Sequence, residues 1–334
     1  MEKKILDCGL RYEITRLIHA GGMGVVYEAK QFGVRDFVKR VAIKVIADTL
    51  AKERDFIEDF VGEARLVADL IHTNIVQTYH LGQADGHLFI VMELVNGVNL
   101  QQLRQQAADR RMILPRYLAV FIASRICRGL TYAHAKSDPD GVPLRLVHRD
   151  VCPKNIMLSY EGDVKLSDFG VAKARGYLKD DDAEVRAGKV DYMSPEQADY
   201  QPTDARSDLF STGVVLAQLL VGYNVFRAET AEACLENIRR LPIPDFCKLS
   251  KQIDDRLNHI LQRALQREVK QRYQSAGEML YDLEHYIYHA GYGPTNETLG
   301  KYVRELYNGK PVVAPAQKAS TTTTQTRVLV KKKK

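Results

Sequence analysis

Tryptophan is absent from the 334 residues, and cysteine is sparse. The five cysteines, Cys8, Cys127, Cys152, Cys234 and Cys247, stand far apart with no CxxC pair, a spacing that gives neither a zinc knuckle nor a disulfide framework. A reducing compartment, the cytoplasm, is the expectation. No uninterrupted apolar stretch is long enough to cross a bilayer, and Met1 to Leu10 has no apolar run of signal-peptide length. The longest apolar segment, Val214 to Val221, is broken by Gln218 and reads as a buried helix. Aliphatic hydroxyls are missing from one place: between Val171 and Met193 there is no Ser and no Thr.

The net charge of +6 raises nucleic acid as a partner, so its location matters. Lys318, Arg327 and Lys331 to Lys334 are six basic groups in a terminal stretch without acids. They account for the whole excess and leave the first 310 residues neutral, which removes the compositional support for a nucleic-acid-binding core. After Tyr307 the composition turns to Pro, Ala, Lys and Thr, too poor in large apolar residues to pack. Residues 310–334 read as a disordered tail whose terminal lysines could meet an anionic membrane surface at about 1 kcal/mol each. A merely solvated charge run is the alternative.

With 45% hydrophobic residues the remainder can fill real cores. From Tyr12 to Met92 the pattern is strand-rich, with strands expected at Tyr12–Ile18, Val25–Ala29, Arg40–Ile46, Ile75–Leu81 and Leu88–Val95. One helix interrupts it at Glu53–Leu70, where apolar residues recur at helical spacing. Beyond Asn99 the chain turns helical, with helices expected at Pro115–Ala135, Asp204–Gly222, Ala231–Arg239, Asp254–Gln266 and Ser275–Ala290. The reading is α+β in two lobes: a small antiparallel sheet with one helix, then a larger helical lobe.

Gly21-Gly22-Met23-Gly24 between two strands suits a phosphate lid, because main-chain N–H groups can approach an anion where side chains are missing. An ordinary glycine-rich hairpin would look the same. In Val41-Ala42-Ile43-Lys44 a lysine sits on an otherwise apolar strand and could hold nucleotide phosphates if Glu63, on the following helix, kept it in place. The bland alternative is a snorkelling Lys and a solvated Glu. The specific signal is His148-Arg149-Asp150-Val151-Cys152-Pro153-Lys154-Asn155, followed by Asp168-Phe169-Gly170. Phosphoryl transfer needs a carboxylate to take the proton of the attacking hydroxyl and oxygen ligands for Mg²⁺. Asp150, Asn155 and Asp168 supply those groups in that order.

On these motifs the chain resembles the eukaryotic-type protein kinase family, and the Gly-Gly-Met-Gly lid resembles its bacterial serine/threonine branch, over about Tyr12 to Tyr288. The resemblance implies a bilobal fold with residues 1–11 as an N-terminal extension, 12–95 as the small lobe and hinge, 96–290 as the large lobe and 291–309 as a helical extension. It implies transfer of the γ-phosphoryl group of ATP, with Mg²⁺, to a protein Ser or Thr. Gly21 and Gly24 would cover the phosphates, Val26, Ala42 and Met157 would sandwich adenine, Met92 would be the gatekeeper and Glu93 to Val95 the hinge. Ser194-Pro195-Glu196 matches the end of the activation segment, Arg272 the arginine paired with that glutamate, and Asp208 the brace of the catalytic loop.

The chain departs from the pattern at three positions. His19 stands where the lid usually begins with glycine. Cys152 stands where serine/threonine kinases usually place a lysine that neutralises the transferring group, and Lys189 stands where they usually have a threonine. The expectation is that Lys189 supplies the missing cation, with Lys154 as second candidate and more often solvent-facing at such a position. In the activation segment Asp180, Asp181, Asp182 and Glu184 could stand in for a phosphate opposite Arg149 and Lys173. The rival from another class is a pseudokinase, a nucleotide-binding scaffold in which Cys152 has abolished transfer.

Overall fold

A computed structural model describes residues 5–7, 10–21, 24–47, 57, 61, 62, 64, 66–84, 86–169 and 190–307. The small lobe is one antiparallel sheet of six strands: β1 (Ile5–Asp7), β2 (Arg11–Gly21), β3 (Gly24–Phe32), β4 (Val38–Ile46), β5 (Thr78–Ala84) and β6 (His87–Met92), in the order β1-β2-β3-β4-β6-β5. Alternation along β4 sorts its side chains onto two faces. Val41, Ile43 and Val45 join Leu6, Tyr12, Ala29, Phe89 and Val91 in a buried apolar cluster. Ala42 and Lys44 therefore project from the opposite face. Register places Val26 and Ile90 opposite Lys44 and Met92 opposite Ala42, so Val26, Ala42, Lys44 and Met92 share that face.

The tip of the β2–β3 hairpin shows why one glycine is needed. Gly24 has φ 143°, and a Cβ there would stand 2.0 Å from the carbonyl oxygen of Val45. Of the expected helix at 53–70, the described residues 57, 61, 62, 64 and 66–68 are helical. Two strand expectations shift. The strand expected at Ile75–Leu81 begins only at Thr78, because Ile75 pairs with Leu166 in parallel and the N–H of Val76 donates to the Leu166 carbonyl at 2.8 Å. The strand expected at Leu88–Val95 ends at Met92.

The large lobe opens with β7 (Gly97–Asn99), which joins β8 (Ile156–Ser159) and β9 (Val164–Leu166) in a three-stranded sheet ordered β7-β8-β9. Among the described residues its helices are α1 (Leu100–Asp109), α2 (Arg116–His134), α3 (Pro195–Ala198), α4 (Ala205–Val221), α5 (Ala231–Arg240), α6 (Phe246–Leu249), α7 (Asp255–Ala264), α8 (Ala276–Tyr288) and α9 (Asn296–Leu306). α4 is the central post. It is capped by the Asp204 side chain, ends at Gly222 in the left-handed region (φ 97°), and buries every residue from Ser207 to Leu220. α9 is tied to the β8–β9 turn by Asn296 Nδ2, which donates to Asp163 Oδ1 at 2.9 Å, and by Arg304, which donates to the Tyr160 carbonyl. Its buried face is Leu299, Tyr302, Val303 and Leu306.

Candidate active site

The catalytic-loop candidates are positioned from α4. The Asp208 carboxylate is 1% exposed. Its Oδ1 accepts from the Arg149 N–H at 2.7 Å, its Oδ2 accepts from the His148 N–H at 2.8 Å, and His134 Nε2 stands 2.9 Å from that same Oδ2. Residues 148 and 149 are thereby fixed to the centre of the lobe. The turn is bent sharply: Arg149 has φ 62° and Asp168 has φ 59°. A left-handed non-glycine residue costs on the order of 1–3 kcal/mol and persists where surrounding bonds hold it.

His148 connects the two loops. Its Nδ1 accepts from the Asp150 N–H at 3.2 Å, which leaves the ring proton on Nε2, and Nε2 donates to the Ser167 carbonyl at 3.0 Å. Its ring meets Phe169 edge-on, with centroids 4.4 Å apart. Asn155 adds a second connection. Its Nδ2 donates to the Asp150 carbonyl at 3.0 Å and also to Asp150 Oδ2, while the Ser167 N–H donates to the Asn155 carbonyl at 2.9 Å. With the amide nitrogen committed to Asp150, the amide oxygen faces the other way.

The small lobe contributes Lys44, 7% exposed, whose Nζ donates to Asp168 Oδ1 at 2.6 Å. Sequence reading assigned Glu63 to that lysine; Glu63 lies outside the described residues, and the described partner is Asp168. Lys173, Asp180, Asp181, Asp182, Glu184 and Lys189 also lie outside them. His19, near the lid tip, has its pKa pushed below the ordinary histidine value, first by the protein packed around it and then by Lys154 and Lys44, against an opposing pull from Asp168. Lys154 is exposed.

Among the nucleotide-cleft candidates, Val26, Ala42 and Met92 come from the shared sheet face, and Met157 comes from β8 below it. The Glu93 carboxylate is held by Lys165 Nζ at 3.0 Å and accepts from the Gln77 N–H at 3.3 Å, and the Glu93 N–H donates to the Gln77 carbonyl at 2.8 Å, so both groups are already engaged. Cys152 is partly exposed beside these groups; Cys127, Cys152, Cys234 and Cys247 are free thiols.

The far end of the activation segment is anchored by Arg272, 1% exposed. Its NH1 and NH2 donate to Glu196 at 2.8 and 2.7 Å, and its remaining donors go to the carbonyls of Gln266, Arg206 and Arg267. Sequence reading missed His134, Gln197, whose Nε2 donates to the Arg149 carbonyl at 2.9 Å, and Thr203, whose Oγ1 accepts from Arg149 Nε at 3.1 Å. They are isolated polar residues far from the motif, and no spacing rule marks them.

Among the described residues no group of three or more His, Cys, Asp or Glu side chains could hold a metal ion. A Mg²⁺ site would instead be built from one carboxylate and one amide oxygen, together with the phosphates of a nucleotide. Asp168 and the free end of the Asn155 amide fit that donor chemistry. No described helix is long and apolar enough to cross a membrane.

Comparison with known proteins agrees with this geometry. The protein kinase domain family matches residues 12–282. The chain is 35% identical over 276 residues to the tyrosine-protein kinase MasK of Myxococcus xanthus, covering 83% of this chain and 43% of that protein. It is 34% identical over 280 residues to the serine/threonine-protein kinase PknB of Mycolicibacterium smegmatis (82% and 42%) and 31% identical over 274 residues to PrkC of Bacillus subtilis (82% and 40%). The chain thus spans less than half the length of these curated relatives. The crystal structure of the Mycobacterium tuberculosis PknI kinase domain, 24% identical, superposes with a TM-score of 0.61 over 82% of this chain and 95% of that one, a likeness of fold. By motif, fold and relatives alike, the chain belongs to the eukaryotic-type protein kinase family in its bacterial branch.

Proposed function

We propose that the chain transfers the γ-phosphoryl group of MgATP to a serine or threonine hydroxyl of a protein, with Asp150 as the base. The observation that carries this reading is the meeting of Lys44 with Asp168 at 2.6 Å in the cleft where Asn155 holds Asp150. A cation, a base and oxygen donors are thereby brought to one place. Lys44 would hold the α- and β-phosphates, and Gly21 and Gly24 would let main-chain N–H groups close over them. Val26, Ala42 and Met157 would enclose adenine, Met92 would bound the back of the cleft, and the Glu93 to Val95 main chain would meet the base edge. Asp168 and Asn155 would hold Mg²⁺, which supplies neutralising charge to the phosphate oxygens. Asp150 would orient the hydroxyl and accept its proton. Rate enhancement would come mainly from positioning and fixed charge.

Serine or threonine is favoured over tyrosine by Pro153, through the family resemblance alone, and by the printed names of PknB and PrkC; the name of MasK points the other way. Partners would be ATP and a protein substrate, in the cytoplasm, with residues 12–290 as the catalytic unit. A scaffold without transfer is the second reading, prompted by Cys152. Incubation with radiolabelled ATP, an unstructured protein substrate and an Asp168→Ala control separates the two, and phosphoamino-acid analysis reads the acceptor. Label equal to that of the control sinks the reading, and phosphotyrosine alone sinks its specificity.

A further inference from the structure

The strand that carries Met157 is short. β8 has Ile156 and Leu158 buried in the large-lobe core, so alternation turns Met157 to the other face. Along one edge β8 pairs with β7, the stretch that leaves the hinge: Gly97 lies opposite Ser159, Val98 opposite Leu158 and Asn99 opposite Met157. The two chains meet closely, since a Cβ on Gly97 would stand 1.8 Å from the Leu158 carbonyl oxygen. One more bond extends the pairing towards the hinge, from the Tyr160 N–H to the Asn96 carbonyl at 3.0 Å. The exit of the hinge and the strand beneath the nucleotide cleft therefore move as one piece, which ends in the turn from Ser159 to Asp163.

That turn is closed from within and gripped from outside. Within it, the Ser159 N–H donates to the Asp163 carbonyl at 2.9 Å and the Asp163 N–H to Ser159 Oγ at 2.9 Å. From outside, α9 lays its main chain directly on it, and a Cβ on Gly300 would stand 2.8 Å from the Tyr160 carbonyl oxygen. Asn296 holds Asp163, and Arg304 donates to the Tyr160 carbonyl. Tyr160 is thus tied on one side to the hinge exit and on the other to α9. Arg304 is exposed, whereas α9 packs through Leu299, Tyr302, Val303 and Leu306, so its guanidinium can be removed without emptying the core. The kinase family match ends at residue 282 and α9 begins at Asn296, which places this grip outside the shared domain.

We propose that α9 positions the nucleotide site and that Arg304 is the positioning residue through which it acts. By holding Tyr160, Arg304 fixes Asn96 at the exit of the hinge and Met157 beneath the base, so the cleft is ordered before a nucleotide arrives. Order already present does not have to be created on binding, and affinity rises accordingly. The inference rests on the nucleotide-cleft reading above. The catalytic loop is fixed separately, by Asp208 on the N–H groups of His148 and Arg149. Nucleotide binding therefore depends on Arg304, and the chemical step does not.

The test is titration of the full-length chain with a fluorescent N-methylanthraniloyl derivative of ATP and Mg²⁺, beside steady-state kinetics on casein. Arg304→Met keeps the alkyl stem and removes the donors. Its Kd should rise about fivefold, the effect of one hydrogen bond on an affinity, and KM for ATP should rise with it while kcat stays. Arg304→Lys, which returns a donor, should recover most of the affinity. Arg263→Met cuts a comparable bond between α7 and α8, from Arg263 to Glu278 at 2.6 Å, and as the control for general loosening it should leave Kd unchanged. An unchanged Kd in Arg304→Met, an equal rise in Arg263→Met, or a fall in kcat without a rise in KM overturns the proposal. A wild-type chain that binds no nucleotide counts against the cleft reading, and hydrogen exchange of the unliganded protein then decides the role of Arg304. Arg304→Met should exchange faster over residues 93–99 as well as over 158–163; a change confined to the turn, or none, overturns the grip on the hinge.

Discussion

The Lys44 ammonium, almost wholly buried, donates to the Asp168 carboxylate at 2.6 Å and so joins a strand of the small lobe to a loop of the large one. The two charges are the groups proposed to hold phosphates and metal, which makes removal of either one a test of catalysis. Lys44→Met and Asp168→Ala should each lower kcat by about 10²–10³, the range for loss of one preorganised charge in a site. Both variants should remain folded by circular dichroism, because the core strand residues Val41, Ile43 and Val45 are untouched. Retention of more than a tenth of the activity in either variant would remove that residue from the mechanism.

Asp208 supports the loop through two buried main-chain donors. Asp208→Ala leaves the N–H groups of His148 and Arg149 without an acceptor, at about 1–3 kcal/mol each. Asp208→Asn keeps an acceptor oxygen but places an N–H₂ against one of two donors. The alanine variant should therefore lose more stability than the asparagine variant in urea titration, and both should lose kcat with KM for ATP little changed. A fall in KM alone would contradict a bracing role.

These residues also show how far the sequence could be read. The motif from His148 to Asn155 and the Asp168-Phe169 pair are contiguous, so their chemistry is visible in one dimension. The shared face of Val26, Ala42, Lys44 and Met92 follows from strand alternation once the register is known. What escaped were contacts between isolated polar residues distant in sequence: His134 on Asp208, Gln197 on the Arg149 carbonyl, and Lys165 on Glu93. α1 escaped as well, because Leu100, Leu103 and Ala107 are its only buried residues among glutamines and charges. Its start is set by the Asn99–Gln102 capping box rather than by an apolar stripe.

Glu196 and Arg272 form a buried ion pair whose guanidinium donors are all used. Burial alone would raise the Glu196 pKa, but hydrogen bonds from Arg272 and Ser207 outweigh it and hold the carboxyl below its ordinary value. A depressed carboxyl pKa means that the unfolded chain binds the proton first as pH falls. The pair's contribution is therefore complete above the unfolded pKa near 4.5 and is lost as pH drops through the folded value. Glu196→Gln strands the arginine and should cost about 3–5 kcal/mol at pH 7. The gap between wild type and variant, followed by chemical denaturation, should narrow below pH 4.5. A gap constant with pH would show that the charge of Glu196 contributes nothing.

α9 packs on the lobe through Leu299, Val303 and Leu306, each 0% exposed. Leu299→Ala should cost about 2–5 kcal/mol, the usual range for emptying a buried leucine site. Gly162 provides a second probe from the other side of the contact. It has φ 92°, and a Cβ there would lie 1.7 Å from the Asn296 carbonyl oxygen. Gly162→Ala should destabilise for both reasons, and removing residues 295–334 should relieve the steric part. If Gly162→Ala costs the same in the shortened chain, α9 does not bear on the β8–β9 turn.

The cation missing at Cys152 has two candidate sources, Lys189 and Lys154. Lys154 follows Pro153 on the short turn to Asn155 and is exposed. From the turn between Asp150 and Asn155 a long flexible ammonium can swing towards a group being transferred to a hydroxyl at Asp150. On this argument Lys154→Ala lowers kcat about tenfold, the effect of roughly 1.4 kcal/mol of lost transition-state stabilisation, and Cys152→Lys in the same chain restores it. Lys189→Ala and Lys189→Thr, measured beside it, give the opposite outcome its own signature. Should the Lys189 variants fall while Lys154→Ala keeps its rate, the charge comes from the activation segment, and Lys154 is a surface lysine.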